Sequence, residues 1–493
     1  MAATSAPHVI IVETPGLGDR GYVVHDGVHA LVIDAQRDTD RVLRVLAEHG
    51  LTLTHVAETH IHNDYVTGGY QLARQHDARY IVPGGVDVAY LREPNVTAVG
   101  DGDTFSVGNL DVQVVHTPGH TQHHVSFAVS NDGAPGAVFT GGSLLYGTVG
   151  RPDLVAPDLT VKQAHDQWHS AHRLANELDG ATGIYPTHGF GSFCSSIQTE
   201  GRQTSLGEER SINPALTEPE EAFVLTLLTG LDVFPAYYAH MGPTNAAGPD
   251  AIDLSLPAPT DPVELRRRIA AGEWVVDLRS REVFTAGHVP GAVNFDLDGA
   301  FINYLGWMIP WGTPVTLLGA TTEQVAAAQR ELVRIGIDRP AAQSVGGVDS
   351  WLEPGQEPRT IRRVTFAGLR SEWQADPEAV VIDTRQIREW EAGHVDGAVF
   401  MAFYDVLDRM GEIPRDRSVY VYCGSGYRAS AVASLLHAHG FDNVVHVDDS
   451  FGHAAAAGLP IVSEAPPERE PGWTWLASRA CARTYDPHGA SGH

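Results

Sequence analysis

His55-Val56-Ala57-Glu58-Thr59-His60-Ile61-His62-Asn63-Asp64 is an apolar strand running into a loop that carries two histidines and an aspartate. Alternate side chains of an extended segment face the same way, so the imidazoles of His60 and His62 can reach one metal ion. Thr117-Pro118-Gly119-His120-Thr121 and Pro186-Thr187-His188-Gly189 each close a further strand. Loops at one end of a sheet let ligands converge, and the flanking Gly and Pro permit the sharp turns required. A single histidine is more often a packed or surface residue; three such loops together point to a metal centre. His116, His123 and His124 read as groups behind the ligands or at the surface.

Around these loops, short strands are predicted at His8–Glu13, Gly21–Val24, Ala30–Asp34, His55–Glu58, Tyr80–Pro83, Val112–His116, Ser126–Val129 and Ala137–Thr140. An amphipathic helix is predicted over Asp40–His49, with Val42, Leu43, Leu46 and Ala47 on one face and Gly50 placed to cap it. Farther along, Val275-Val276-Asp277-Leu278-Arg279 with Ala286-Gly287-His288-Val289-Pro290-Gly291-Ala292 matches Val381-Ile382-Asp383-Thr384-Arg385 with Ala392-Gly393-His394-Val395-Asp396-Gly397-Ala398 at a constant offset of 106 residues. A repeat that long is a whole domain. Each copy reads as buried strand, helix, Gly-turn, strand and helix, which implies a parallel sheet covered by helices. The second copy's last pair is Ser418–Tyr422 and Arg428–His437.

The composition narrows the function. The 493 residues predict roughly three domains at about 150 residues each. Asp plus Glu number 61 against 33 Lys plus Arg, a formal charge of -28 with no basic block, which argues against nucleic acid and anionic membranes as partners. The first residues carry no basic stretch followed by an apolar segment, and nowhere do 18 apolar residues run together, so neither secretion nor membrane insertion is expected. Cys194, Cys423 and Cys481 are too few for a disulfide framework, and a reducing, cytoplasmic setting is expected. Linkers near Gly242–Pro259 and Glu353–Pro358 give the expected division: a domain at 1–245, the repeats at 255–358 and 360–466, and a loosely ordered tail at 467–493.

The first 240 residues resemble the metallo-β-lactamase fold, an α/β (αβ/βα) sandwich whose pattern H-x-H-x-D-H is followed by later His, Asp and His ligands. Within that superfamily they look most like the persulfide dioxygenases (sulfur dioxygenases), through THIHND at 59–64, TPGHT at 117–121, TGGSLL at 140–145, GRPDL at 150–154 and HGFGSFC at 188–194. Those enzymes use mononuclear iron to oxidise a thiol-bound persulfide with dioxygen, yielding sulfite. The resemblance implies metal ligation by His60, His62 and His120, with Asp64 as a ligand or orienting group, and makes His188, Cys194 and Tyr65 second-site or substrate candidates. Two departures matter: Tyr65 stands where the family has its second-site histidine, and Gly142 where it has a ligand Asp. A dinuclear zinc hydrolase of the glyoxalase II kind needs both.

Cys423-Gly424-Ser425-Gly426-Tyr427-Arg428 follows the strand Val419-Tyr420-Val421-Tyr422 and precedes an alanine-rich helix. Two glycines let backbone N–H groups turn inward as an anion nest, and the helix adds its positive end; such surroundings favour a thiolate able to carry a persulfide. Arg428 can pair with an anionic sulfur donor or rigidify the loop. This half of the chain resembles the rhodanese sulfurtransferases, with two α/β domains built on parallel sheets. Four residues separate Cys423 from Arg428, as in single-domain rhodaneses, whereas related phosphatases use five. Asp383 and Arg385 fit the same pattern and read as strand-end hydrogen bonding that holds the fold. In the first copy Gly319 follows the corresponding strand, so that copy is expected to be silent.

This order of domains is similar to bacterial fusions that detoxify sulfide-derived persulfides. The expected function is iron-dependent oxidation of a low-molecular-weight persulfide to sulfite, coupled to sulfur transfer by Cys423 to make thiosulfate. One alternative is a sulfurtransferase whose first domain is oxidatively inactive because of Gly142. The other is a metal-dependent thioester hydrolase. One Fe(II) per chain is the expected cofactor, with zinc as the competitor. The expected partners are a thiol persulfide of glutathione, coenzyme A or similar, sulfite or thiosulfate, and dioxygen, with association into homo-oligomers as in related folds.

Overall fold

The structure, a computed structural model, describes residues 7–131, 136–196, 203–297 and 300–463. The tail at 467–493 and Cys481 lie outside the described residues. Two compact units meet in sequence between Ile252 and Asp253, and both repeats fall in the second except for Val333–Gly336 of the first repeat, which groups with the first unit.

The first unit is built on two six-stranded sheets. One contains β1 (His8–Thr14), β2 (Asp19–His25), β3 (His29–Ile33), β4 (Thr52–Ala57), β5 (Arg79–Pro83) and β6 (Val96–Val99), in that spatial order. The other draws on β7 (Thr104–Val107), β8 (Leu110–His116), β9 (Val125–Ser130) and β10 (Ala137–Gly141). After the short ribbon β11 (Leu144–Leu145) and β12 (Thr148–Val149), it is completed by β13 (Gly183–Pro186) and β14 (Thr204–Ser205), in the order β14-β13-β10-β9-β8-β7.

The two-residue period of each strand decides what it packs against. Tyr22, Val24, Leu31 and Ile33 join Val112, Val114, Phe127 and Phe139 in the core between the sheets. Val23, Ala30 and Val32 point the other way, against Val42 and Leu46 of the helix Asp40–Glu48. Gly50, with φ +64, closes that helix by donating its N–H to the Ala47 carbonyl. The outer face of the second sheet is covered by the helices Thr160–Glu177 and Glu220–Gly230 through Val138, Ile184, Ala171, Leu174, Phe223 and Leu227. The expected sandwich with helices on both faces is formed, and the strands β6 and β7, not foreseen from the sequence, extend its two edges.

The second unit holds two parallel sheets. The first repeat contributes β15 (Trp274–Asp277), β16 (Val293–Asn294), β17 (Val315–Gly319) and β18 (Ala342–Val345), ordered β16-β15-β17-β18. The second contributes β19 (Arg362–Val364), β20 (Val380–Asp383), β21 (His394–Val395), β22 (Val399–Phe400), β23 (Val419–Tyr422), β24 (Val444–Val447) and β25 (Ile461–Val462). Its main sheet runs β19-β24-β23-β20-β22, with β21 and β25 paired separately. The repeat is legible atom by atom: Arg279 grips Asp277 and the Gly287 carbonyl, and Arg385 grips Asp383 and the Gly393 carbonyl. These buried clips fasten the ends of β15 and β20 to the turn that follows the next helix. No helix among the described residues is long and apolar enough to cross a membrane.

Candidate metal centre and cysteine loop

The loop after β4 is fixed by Asp34, a non-glycine residue held at φ +52. Its carboxylate accepts from the Thr59 N–H and Thr59 hydroxyl, each at 2.8 Å, and from the Thr187 hydroxyl. One buried aspartate thereby ties two histidine loops together, which offsets a left-handed conformation that costs on the order of 1–2 kcal/mol.

Each imidazole has one nitrogen committed to an orienting partner. The Thr59 hydroxyl, having donated to Asp34, accepts from His60 Nδ1 at 2.9 Å. His120 Nδ1 donates to the Arg151 carbonyl at 2.9 Å, and His188 Nδ1 to Asp19 at 2.9 Å and Asp64 at 3.1 Å. His62 Nε2 faces Glu58 at 3.1 Å, Asp34 at 3.3 Å and the Tyr65 hydroxyl at 3.0 Å. The remaining nitrogens are the ones a metal would use. Those of His62 (Nδ1) and His120 (Nε2) are buried without a hydrogen-bond partner, and His60 Nε2 lies 3.4 Å from His188 Nε2. Orphaned imidazole lone pairs, each backed by an acceptor that fixes the tautomer, are the donor chemistry of a transition-metal site.

Ligand atoms of His60, His120 and His188 lie within 4.8 Å of one another, as do those of His62, Asp64 and His188. His188, assigned from the sequence only to a second site or substrate, belongs to both groups. A third group, Asp34, Glu58 and His62, meets the same distance, and here the two carboxylates orient the ring. Glu58 and Asp19 have no part in the sequence pattern, and only folding shows what they face. Burial disfavours the imidazolium of His188, but Asp64 and Asp19 outweigh it and lift its pKa to about 10. Burial likewise opposes charge on His62, and Asp34 with Glu58 raises it to about 9. Burial, helped by the neighbouring His188 and His62 and opposed by the Arg151 carbonyl and Asp64, carries His120 down to about 3. A cation seated among these rings would displace protons.

Gly142 is more than an absent carboxylate. A Cβ there would lie 2.2 Å from His120 Cδ2, so the His120 ring fills the volume that a side chain would need. Its N–H donates to Nε2 of His124, and His124 in turn bonds the Thr117 hydroxyl through Nδ1. His124 is fully buried and stacks on His60 at 5.0 Å, so it stands behind a ligand, not at the surface. Tyr65 is fully buried, and burial with the charges of Asp34 and Glu58 keeps its phenol protonated. Cys194 is also fully buried, and burial with Asp64 and Asp19 holds it firmly as a thiol.

In the second unit Cys423 follows β23, and the helix Tyr427–Ala438 follows the loop. Gly426 caps that helix at φ +94 and donates its N–H to Cys423 Sγ at 3.2 Å. The His446 Nε2–H donates to the Gly426 carbonyl at 2.9 Å. Arg428 donates to both oxygens of Glu389, one at 2.8 Å, so it braces the loop through a carboxylate that the sequence pattern did not mark. A Cβ on Gly426 would lie 2.4 Å from Asp448 Oδ1. Gly426→Ala is therefore expected to cost about 2 kcal/mol of stability and to cut Cys423-dependent turnover at least tenfold, read by thermal melts and cyanolysis of thiosulfate.

The first repeat has closed the matching position. Gly319 occupies the place of Cys423 and Gln324 that of Arg428. Gln324 accepts from the Ala320 N–H at 2.7 Å and donates to the Leu278 carbonyl at 2.8 Å. A Cβ on Gly319 would lie 2.8 Å from Val325 Cγ2.

Residues 20–188 match the metallo-beta-lactamase superfamily, and residues 261–354 and 369–455 each match the rhodanese-like domain. The human mitochondrial persulfide dioxygenase ETHE1 is 30% identical over 246 residues, 49% of this chain and 80% of that protein. The Mus musculus counterpart is 29% identical over the same length and shares. A hydroxyacylglutathione hydrolase of Rhizobium johnstonii is 32% identical over 171 residues, 34% of this chain and 61% of that one. Among solved structures, a metallo-beta-lactamase from Staphylococcus aureus is 29% identical with a TM-score of 0.62, covering 69% of this chain and all of that one.

Proposed function

We propose, since this chain belongs to the metallo-β-lactamase superfamily beside the persulfide dioxygenases and carries two rhodanese-like domains, that it is an enzyme of sulfur metabolism which oxidises a low-molecular-weight persulfide and transfers sulfane sulfur through Cys423. The observation that carries the reading is the pair of buried imidazole nitrogens left without partners, His62 Nδ1 and His120 Nε2, among the histidine loops of the first unit. His60, His120 and His188, with His62 and Asp64 beside them, would hold the metal. A ferrous ion there would supply activation of dioxygen, so that one persulfide, one dioxygen and one water give the thiol, sulfite and two protons. Asp34 and Thr59 orient His60, Arg151 orients His120, and the carboxylates of Glu58 and Asp19 accept from the outward nitrogens of His62 and His188. The buried setting excludes bulk water from the reacting sulfur.

At Cys423 the thiolate attacks the outer sulfur of the donor; a new S–S bond forms, the donor's S–S bond breaks, and its thiol or sulfite leaves. Sulfite then attacks the outer sulfur of the cysteine persulfide, forming thiosulfate and returning the thiolate. The Gly426 N–H stabilises sulfur charge at each stage. With three cysteines and this thiol chemistry, the reading places the enzyme in a reducing cytoplasm.

A second reading has its own support: with Gly142 lacking a carboxylate and its space taken by the His120 ring, the first unit has given up oxidation and the chain is a sulfurtransferase. The hydrolase reading is disfavoured by the phenol at Tyr65 and by Gly142. Metal content per chain separates the three. One iron is expected; two zincs would support the hydrolase, and no metal the sulfurtransferase. Oxygen uptake by the iron-loaded protein supplied with glutathione persulfide is the direct assay, and its absence would sink the oxidative half.

A further inference from the structure

Gly426 is the tightest point of the cysteine loop, and what presses on it is a carboxylate. Asp448 Oδ1 lies where a Gly426 side chain would begin, and the N–H of the same glycine faces Cys423 Sγ. A bare aspartate there would repel an anion arriving at the nest. Asp448 is not bare: Arg281 Nε donates to it at 2.8 Å and Arg363 Nη1 at 2.5 Å. Arg363 comes from β19 of the same repeat. Arg281 opens the helix Arg281–Ala286 of the repeat that has no cysteine.

We infer that Arg281 is a positioning residue for anionic sulfur donors at Cys423, lent by the cysteine-less repeat to neutralise Asp448 beneath the loop. The inference rests on the sulfur-transfer reading and names the donor class: thiosulfate or a persulfide anion, and not a neutral disulfide. The other charged or titratable groups around the loop leave this role open. Arg428 is paired with Glu389, His446 is spent on the Gly426 carbonyl, Asp296 adds a further negative charge near Arg281, and Glu282 is more distant than Asp448, 3.7 Å from Arg281 and 3.8 Å from Arg363. The same repeat also grips the loop without charge, where Tyr427 donates to the Asp296 carbonyl at 2.7 Å and Ser430 to Asn294 at 3.0 Å. Neither contact involves Arg281, so charge can be separated from grip.

In the full chain, Arg281→Met is expected to raise the KM for thiosulfate about fivefold while kcat stays within about twofold, as loss of one nearby charge predicts. Arg281→Lys should keep the wild-type KM, and Arg281→Met with Asp448→Asn should restore it. A readout free of turnover is the ratio of Cys423 alkylation rates by iodoacetate and iodoacetamide, followed by mass spectrometry of the Cys423 peptide. That ratio should fall about fivefold in Arg281→Met and recover in the double variant. An unchanged ratio, a lysine variant as impaired as methionine, or a double variant that fails to recover would each overturn the inference. Should Arg281→Met fail to fold, Asp448→Asn alone decides: the ratio must rise above wild type. A wild type without Cys423-dependent turnover would sink the sulfur-transfer reading, while the alkylation ratio still judges Arg281.

Discussion

Cys423→Ser is expected to lower cyanolysis of thiosulfate by at least about 10³-fold while leaving persulfide-driven oxygen uptake within about twofold of wild type. Serine keeps the size of the side chain and the Gly426 N–H contact, but its hydroxyl neither ionises near neutral pH nor carries sulfane sulfur. No second thiol among the described residues can substitute. Cys194, like Cys423, is buried, but it is held as a thiol by desolvation and by the charges of Asp64 and Asp19, and Gly319 in the first repeat has no sulfur at all. Residual sulfurtransfer above about one percent would mean that another nucleophile does the work. Oxygen uptake that fell together with it would mean that the two chemistries are not separable.

The second large effect is expected at His120. His120→Ala should remove most of the bound iron and lower oxygen uptake by about 100-fold, with cyanolysis of thiosulfate unchanged within about twofold. His120 is ligand candidate and space-filler at once: its Nε2 is the orphaned atom, and its ring occupies the volume beside Gly142. Alanine leaves a hole there that no neighbouring carboxylate fills. Metal analysis and oxygen consumption read the outcome. A variant that keeps its iron and its rate would move the centre to the grouping of His62, Asp64 and His188.

Much of this was legible in the chain. Strand alternation at Tyr22 to Val24 and Leu31 to Ile33, the helix Asp40–Glu48 and the offset repeat all follow from local periodicity, because burial on two faces imposes a period on the residues that supply it. The edge strands Val96–Val99 and Thr104–Val107 carry less buried surface and leave a fainter pattern. The histidine loops pointed to a candidate metal site through residue type and spacing. Which partner orients each ring is a long-range property: Asp19 reaches His188 across 169 positions and Thr187 reaches Asp34 across 153. No window of sequence contains both. The same holds for Glu389 and Arg281, whose roles arise only when distant helices are brought to the cysteine loop. Gly142 reads in the sequence as a missing ligand, and in the fold as room for an imidazole.

The plugged position in the first repeat bears on how this protein can change. A glycine codon ending in a pyrimidine becomes a cysteine codon by a single base substitution, so a thiol at residue 319 can lie one mutational step away. Val325 leaves no space for it, and Gln324 holds the backbone shut where an arginine would be required. Regaining chemistry there demands several coordinated replacements, none useful alone. Divergence between the two repeats would then act as a ratchet, leaving the repeat without a cysteine free to drift toward service of its sibling.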